Sequence, residues 1–199
     1  NHKVFGEAFA ILAGDALISL GAQIIADKTS KTIPSERILK AIREYLIAAG
    51  IYGIVGGQTA DLEAEKSTLN LRDNEEYLNY IQTYKTGALF EASVAAGAYI
   101  GGADNEKIRI LKEFAKSFGI AFQMADDILD VISTSKEMGK TTGKDEYENK
   151  LTYVRKYGLE GAKQKLILQI QSAYDILKRE NLGSSVLNEL IEQIKKSVF

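Results

Sequence analysis

The stretch Gly119-Ile-Ala-Phe122-Gln123-Met-Ala-Asp126-Asp127-Ile-Leu-Asp130 gathers three carboxylates and one amide in a short, otherwise apolar segment. At about 100° per residue, Gly119, Gln123, Asp126, Asp127 and Asp130 fall in one helical stripe about 100° wide. Phe118, Phe122, Met124, Ile128 and Leu129 occupy its flanks. Carboxylates this close repel one another and lose hydration, so something must compensate. A magnesium ion suits them: it is hard, takes oxygen ligands, keeps waters and is often completed by substrate phosphates. The alternative is an acidic solvent-facing stripe pairing with lysines on a neighbouring element.

Three further clusters carry groups suited to phosphate chemistry. Gly139-Lys140-Thr-Thr-Gly143-Lys144-Asp145 precedes Asn149-Lys150-Leu-Thr152-Tyr153. Its glycines let backbone approach an anion and its lysines act as point charges, although the spacing is not that of a P-loop. A basic loop downstream of three clustered aspartates suits a metal-bridged diphosphate; a solvated charged loop reads the same way. Tyr84-Lys85-Thr86-Gly87 puts a lysine inside an Ala- and Gly-rich helix, where it must be paired, face a cavity or snorkel to the surface. In Gly56-Gly57-Gln58-Thr59-Ala60-Asp61-Leu62, Gln58 and Asp61 share a face with Glu65, as on any polar helix surface.

The elements that must position these groups are helical almost throughout, and alternating strand patterns are scarce. Apolar spacing predicts a helix from Val4 to Ala26, with Phe5, Phe9, Leu12, Ala16 and Leu20 on one face. A second opens at Pro34, runs through Tyr52 and continues towards Lys66. After a loop at Ser67–Asp73, a third starts at Asp73 or Asn74 and ends at Gly101-Gly102. A fourth runs from Asp104 or Asn105 to Ile132. Thr134–Lys150 has no apolar period and reads as a loop. Helices then follow over Thr152–Tyr157, Glu160–Glu180 and Ser185–Val198. The 199 residues form one all-α domain, 1–199, with no linker or repeat.

Composition removes other chemistries. There is no cysteine and one histidine, His2, which excludes disulfides, a thiolate nucleophile and a histidine-rich zinc site. The net charge of -2 provides no basic field for nucleic acid. No basic-then-apolar leader opens the chain, and the longest uncharged run, Tyr45–Ala60, falls short of a bilayer span. A cytoplasmic protein without a membrane span is expected.

In order and spacing these clusters resemble the trans-isoprenyl diphosphate synthases, of the short-chain farnesyl or geranylgeranyl diphosphate synthase type. Phe122–Asp130 matches their second motif, Phe-Gln-x-x-Asp-Asp-x-x-Asp. Gly57–Leu62 matches Gly-Gln-x-x-Asp-Leu, and Lys85–Gly87 matches Lys-Thr-Gly. Gly139–Asp145 and Lys150–Tyr153 match the loop and the Lys-x-Thr-Tyr that follows it. Asn1–Glu7 with Leu12–Asp15 resembles the segment after the family's first aspartate motif.

The resemblance implies an isoprenoid-synthase-type helical bundle around a central cavity, and prenyl transfer from an allylic diphosphate to isopentenyl diphosphate in a homodimer. It also implies up to three Mg²⁺ ions, one of them at the second motif. Asp126 would ligate that ion directly, with Asp127 and Asp130 assisting. Lys85 and Lys140 would hold the allylic diphosphate, with Lys150 near the diphosphates. Thr86 and Gln123 would turn oxygens towards the allylic cation, and Phe122 would line the isopentenyl pocket. The family's first Asp-Asp-x-x-Asp motif and paired arginines are absent: the sole Asp-Asp pair is Asp126-Asp127. An N-terminal portion of about 80–100 residues is therefore expected ahead of Asn1, and the 199 residues alone are expected to be inactive. Rival readings are a non-catalytic synthase-like partner subunit and a terpene cyclase. The two lysine motifs favour chain elongation.

Overall fold

The computed structural model describes residues 1–66, 74–137, 152–179 and 181–199. Among them the ordered elements are helices: α1 (His2–Phe5), α2 (Glu7–Lys28), α3 (Ser35–Ala49), α4 (Ile54–Lys66), α5 (Glu75–Ile81), a π-helical turn (Gln82–Gly87), α6 (Ala88–Gly101), α7 (Asn105–Glu137), α8 (Tyr153–Arg179) and α9 (Ser185–Val198). The all-α expectation is met. The expected loop at 67–73 lies outside the described residues, as does most of the one at 134–150, with Lys140, Lys144 and Lys150.

Local chemistry explains most boundaries. The helix expected from Val4 is split at Gly6, whose φ of 83° only glycine adopts cheaply. The second expected helix breaks over 50–53, because Gly50 and Gly53 turn the chain between α3 and α4. Asn74 caps α5 by accepting from the Tyr77 amide at 3.1 Å, and Asp104 caps α7 by accepting from the Lys107 amide at 2.8 Å. Gly102, left-handed at φ 78°, stops α6. Gly158, at φ 71°, interrupts α8 between the two helices read there. Helix α7 runs to Glu137, past the expected end at Ile132, because no residue that breaks a helix occurs before Gly139.

Helix α7 is the axis of the core, with α6 and α8 on its flanks and α9 packed across it. Its residues Ile110, Phe114, Phe118, Ala121, Met124 and Ile128 are buried against Leu78, Ile81, Leu166, Leu177 and Ile191. Each fully buried Leu, Ile or Phe contributes about 1.5–3 kcal/mol. Helix α2 is different. It rests on α3, where the Tyr45 hydroxyl donates to the Ile18 carbonyl at 3.1 Å over Gly21, yet none of its residues is buried. By length and apolar composition alone it matches a membrane-crossing helix, although Asp15 interrupts its uncharged run.

Candidate active site

The third expected helix is not a continuous α-helix: Gln82-Thr-Tyr-Lys85-Thr86-Gly87 winds as a π-helical turn. Such widened turns are rare and are frequently found at functional sites. Two glycines let it fit. A Cβ on Gly57 of α4 would lie 2.2 Å from the Lys85 amide nitrogen, and one on Gly119 of α7 would lie 3.1 Å from the Gly87 Cα. The turn is thus wedged between α4 and α7. Gly57→Ala pushes backbone on backbone, with no flexible side chain to yield. It is expected to destabilise the fold by about 3 kcal/mol, read from chemical denaturation, and Gly119→Ala by clearly less.

The turn aims two consecutive residues at two neighbours. The Lys85 ammonium pairs with the carboxylate of Asp61, which is buried on α4. The Thr86 hydroxyl donates to Gln123 Oε1 at 2.8 Å, and Gln123 Nε2 donates to Asp127 Oδ1 at 3.0 Å. Asp127 Oδ2 accepts the backbone N–H of Tyr153, the first residue of α8, at 3.1 Å. The Tyr153 hydroxyl in turn donates to Asn79 of α5 at 3.0 Å. A hydrogen-bonded line therefore runs from the π turn through α7 to the start of α8.

The three aspartates occupy different environments. Asp126 and Asp130 are exposed, one helical turn apart, whereas Asp127 is buried, 8% exposed. Burial, the largest influence, pushes the Asp127 carboxyl up to about 6. The Gln123 and Tyr153 hydrogen bonds hold it down, and the charges of Asp126 and Asp130 push it up. Asp126 and Asp130 thus present the exposed edge of the stripe, and Asp127 faces protein. Among the described residues no three acidic side chains converge tightly enough to hold a metal alone. An ion on this edge needs further oxygens, from water, phosphate or other protein.

Phe122 and Asp126 border a groove of about 520 Å³ between α6, α7 and α9, with Phe90, Phe118, Leu129 and Leu190 in its walls. Lys85, Thr86 and Gln123 do not line it. The expected site residues therefore form two groups joined by α7: the Lys85–Thr86–Gln123 face and the Phe122–Asp126 groove. Lys140 and Lys150 lie outside the described residues. Sequence reasoning did not identify the pairing of Asp61 with Lys85, nor the roles of Asn79 and the Tyr153 amide. Tyr153 stood at the end of a quoted motif, but its contact with Asp127 spans 26 positions of chain.

Residues 1–194 match the family model described as polyprenyl synthetase. Over 194 residues the chain is 43% identical to a farnesyl diphosphate synthase of Geobacillus stearothermophilus, covering 98% of this chain and 64% of that protein. It is 46% identical over 166 residues to a heterodimeric geranylgeranyl pyrophosphate synthase large subunit of Arabidopsis thaliana, covering 82% of this chain and 44% of that one. Among solved structures, a geranyltransferase of Helicobacter pylori, complexed with magnesium and isoprenyl diphosphate, superposes with a TM-score of 0.79. It is 29% identical, and the match covers 100% of this chain and 63% of the other. The chain thus spans less than two thirds of the length of these relatives. The matched stretch includes α2, whose apolar surface is part of the family's domain. With the motif residues in these positions and a match over nearly its full length, the chain belongs to the polyprenyl synthetase family.

Proposed function

We propose that the protein carrying this chain is a prenyltransferase. It condenses isopentenyl diphosphate with dimethylallyl or geranyl diphosphate to give farnesyl or a similar short-chain prenyl diphosphate. The observation that carries this reading is the juxtaposition of a lysine, a hydroxyl and an amide oxygen on one face with the exposed carboxylates of Asp126 and Asp130, one and two helical turns further along α7. Breaking an allylic carbon–oxygen bond separates charge. The diphosphate leaves with the electron pair and the carbon skeleton keeps a delocalised cation. Lys85 meets the growing negative charge, and the Thr86 and Gln123 oxygens meet the positive one. Apolar surroundings exclude water that would capture the cation. The isopentenyl double bond then supplies the electrons of the new carbon–carbon bond, and proton loss to the departing diphosphate restores a double bond.

The donor set on Asp126 and Asp130 is all oxygen, solvent-facing and incomplete, which fits Mg²⁺ better than a softer metal. Bound there, the ion would neutralise diphosphate charge. The exposed apolar surface of α2 supports a homodimer or packing against further helices of the same protein.

Lys140 and Lys144 test the diphosphate assignment in the whole protein, with labelled isopentenyl diphosphate as tracer. Lys140→Ala removes a contact that strengthens as the leaving group gains charge, so kcat falls as well as affinity. Lys144→Ala, which matches no ligand position of the family, has a much smaller effect. Both leave folding stability within about 0.5 kcal/mol. Equal losses would make the Gly139–Asp145 motif merely basic, and a wild-type protein that incorporates no label would overturn the prenyltransferase reading.

A further inference from the structure

We propose that Asp127 is a positioning residue that fixes the polarity of the Thr86–Gln123 hydrogen bond and ties it to the start of α8. This rests on the prenyltransferase reading above and assigns Asp127 a task other than metal ligation. An ionised carboxylate only accepts hydrogen bonds. Gln123 must therefore turn its NH₂ group towards Asp127 Oδ1, 3.0 Å away, which leaves its Oε1 facing Thr86. The Thr86 hydroxyl must then donate its proton to Gln123, and its lone pairs remain for substrate. Both side chains present the negative ends of their dipoles to a developing carbocation for one reason: the group at the far end of the line has no proton to give.

The other oxygen of Asp127 accepts the Tyr153 amide, so the carboxylate has a protein donor on each oxygen. Thr152 caps the same helix start by accepting from the Arg155 amide at 3.2 Å. The residues immediately before Thr152 include Lys150 of the basic motif. The line therefore joins the cation-facing groups to the point where the chain returns from that motif, and a shift of α8 is felt at Gln123.

An exchange of functional groups tests this in the whole protein. In Asp127→Asn the amide oxygen keeps the Tyr153 bond, because a backbone N–H can only donate. The new NH₂ therefore faces Gln123, whose amide must flip to meet it, and the Thr86 proton is driven away from Gln123. The expected result is a fall in kcat of about 100-fold, the scale seen when one preorganised polar group is lost from an active site. KM for isopentenyl diphosphate and the melting temperature change little. Gln123→Glu alone sets two carboxylates against each other and also loses activity. The double variant Gln123→Glu/Asp127→Asn restores every donor and acceptor at unchanged net charge, and kcat is expected to recover at least tenfold over Asp127→Asn. A double variant no better than Asp127→Asn, or an Asp127→Asn protein as active as wild type, overturns the proposal while leaving the prenyltransferase reading intact. Neutron crystallography supplies a readout independent of turnover: the Thr86 deuteron points at Gln123 in wild type and away from it in Asp127→Asn. A wild-type deuteron directed away from Gln123 would refute the relay.

Discussion

Lys85→Ala lowers kcat by about 100- to 1,000-fold, the cost of removing a preorganised charge from where a leaving group becomes negative. The π-helical turn exists only because Gly57 and Gly119 admit it, and it holds the ammonium half-buried beside Asp61. That pairing holds the lysine in a fixed orientation. Lys85→Ala also leaves the buried Asp61 carboxylate without its partner, which costs stability of about 1–3 kcal/mol. Lys85→Ala/Asp61→Asn removes this stress without restoring the charge. Its melting temperature is expected to return towards wild type while kcat stays low. Recovery of kcat in the double variant would mean that Lys85 serves the fold and not the diphosphate.

Asp126→Ala is expected to cost about as much, roughly 1,000-fold in kcat, and to raise the Mg²⁺ concentration needed for half-maximal rate. Asp126 is exposed at the rim of the apolar groove, so its loss is expected to leave the fold untouched and to delete the proposed oxygen ligand. Asp61→Ala is expected to cost far less, about tenfold, because Lys85 remains in place and loses only its orienting partner. Steady-state rates across a magnesium titration separate the two. Equal losses would show that the exposed edge of the stripe carries no metal.

The helical architecture was legible because its signals are local. Asn74, Asp104 and Ser184 cap as their residue types suggest, and Gly158 and Gly183 separate helices where the apolar period lapses. The stripe of Gln123 and the three aspartates was legible for the same reason, since helical arithmetic needs no tertiary partner. What it missed came from elsewhere in the chain. The π turn at Gln82–Gly87 carries no local signature, because α4 and α7 press on it from both sides. Asp127 sits at the edge of the stripe by angle, and only the arrival of α8 decides that this edge is buried. In α2, spacing picked out one apolar face, but nearly every face of that helix is apolar and none is buried. Periodicity can rank the faces of a helix but cannot supply the surface that covers them.

Chelation of the metal tests the central claim most directly: that exposed carboxylates on α7 and the Lys85 turn act together on an allylic diphosphate. The whole protein, given labelled isopentenyl diphosphate and geranyl diphosphate with Mg²⁺, should form a longer prenyl diphosphate. It should stop on addition of excess EDTA and resume when Mg²⁺ is restored. Product formation undiminished by EDTA would contradict it.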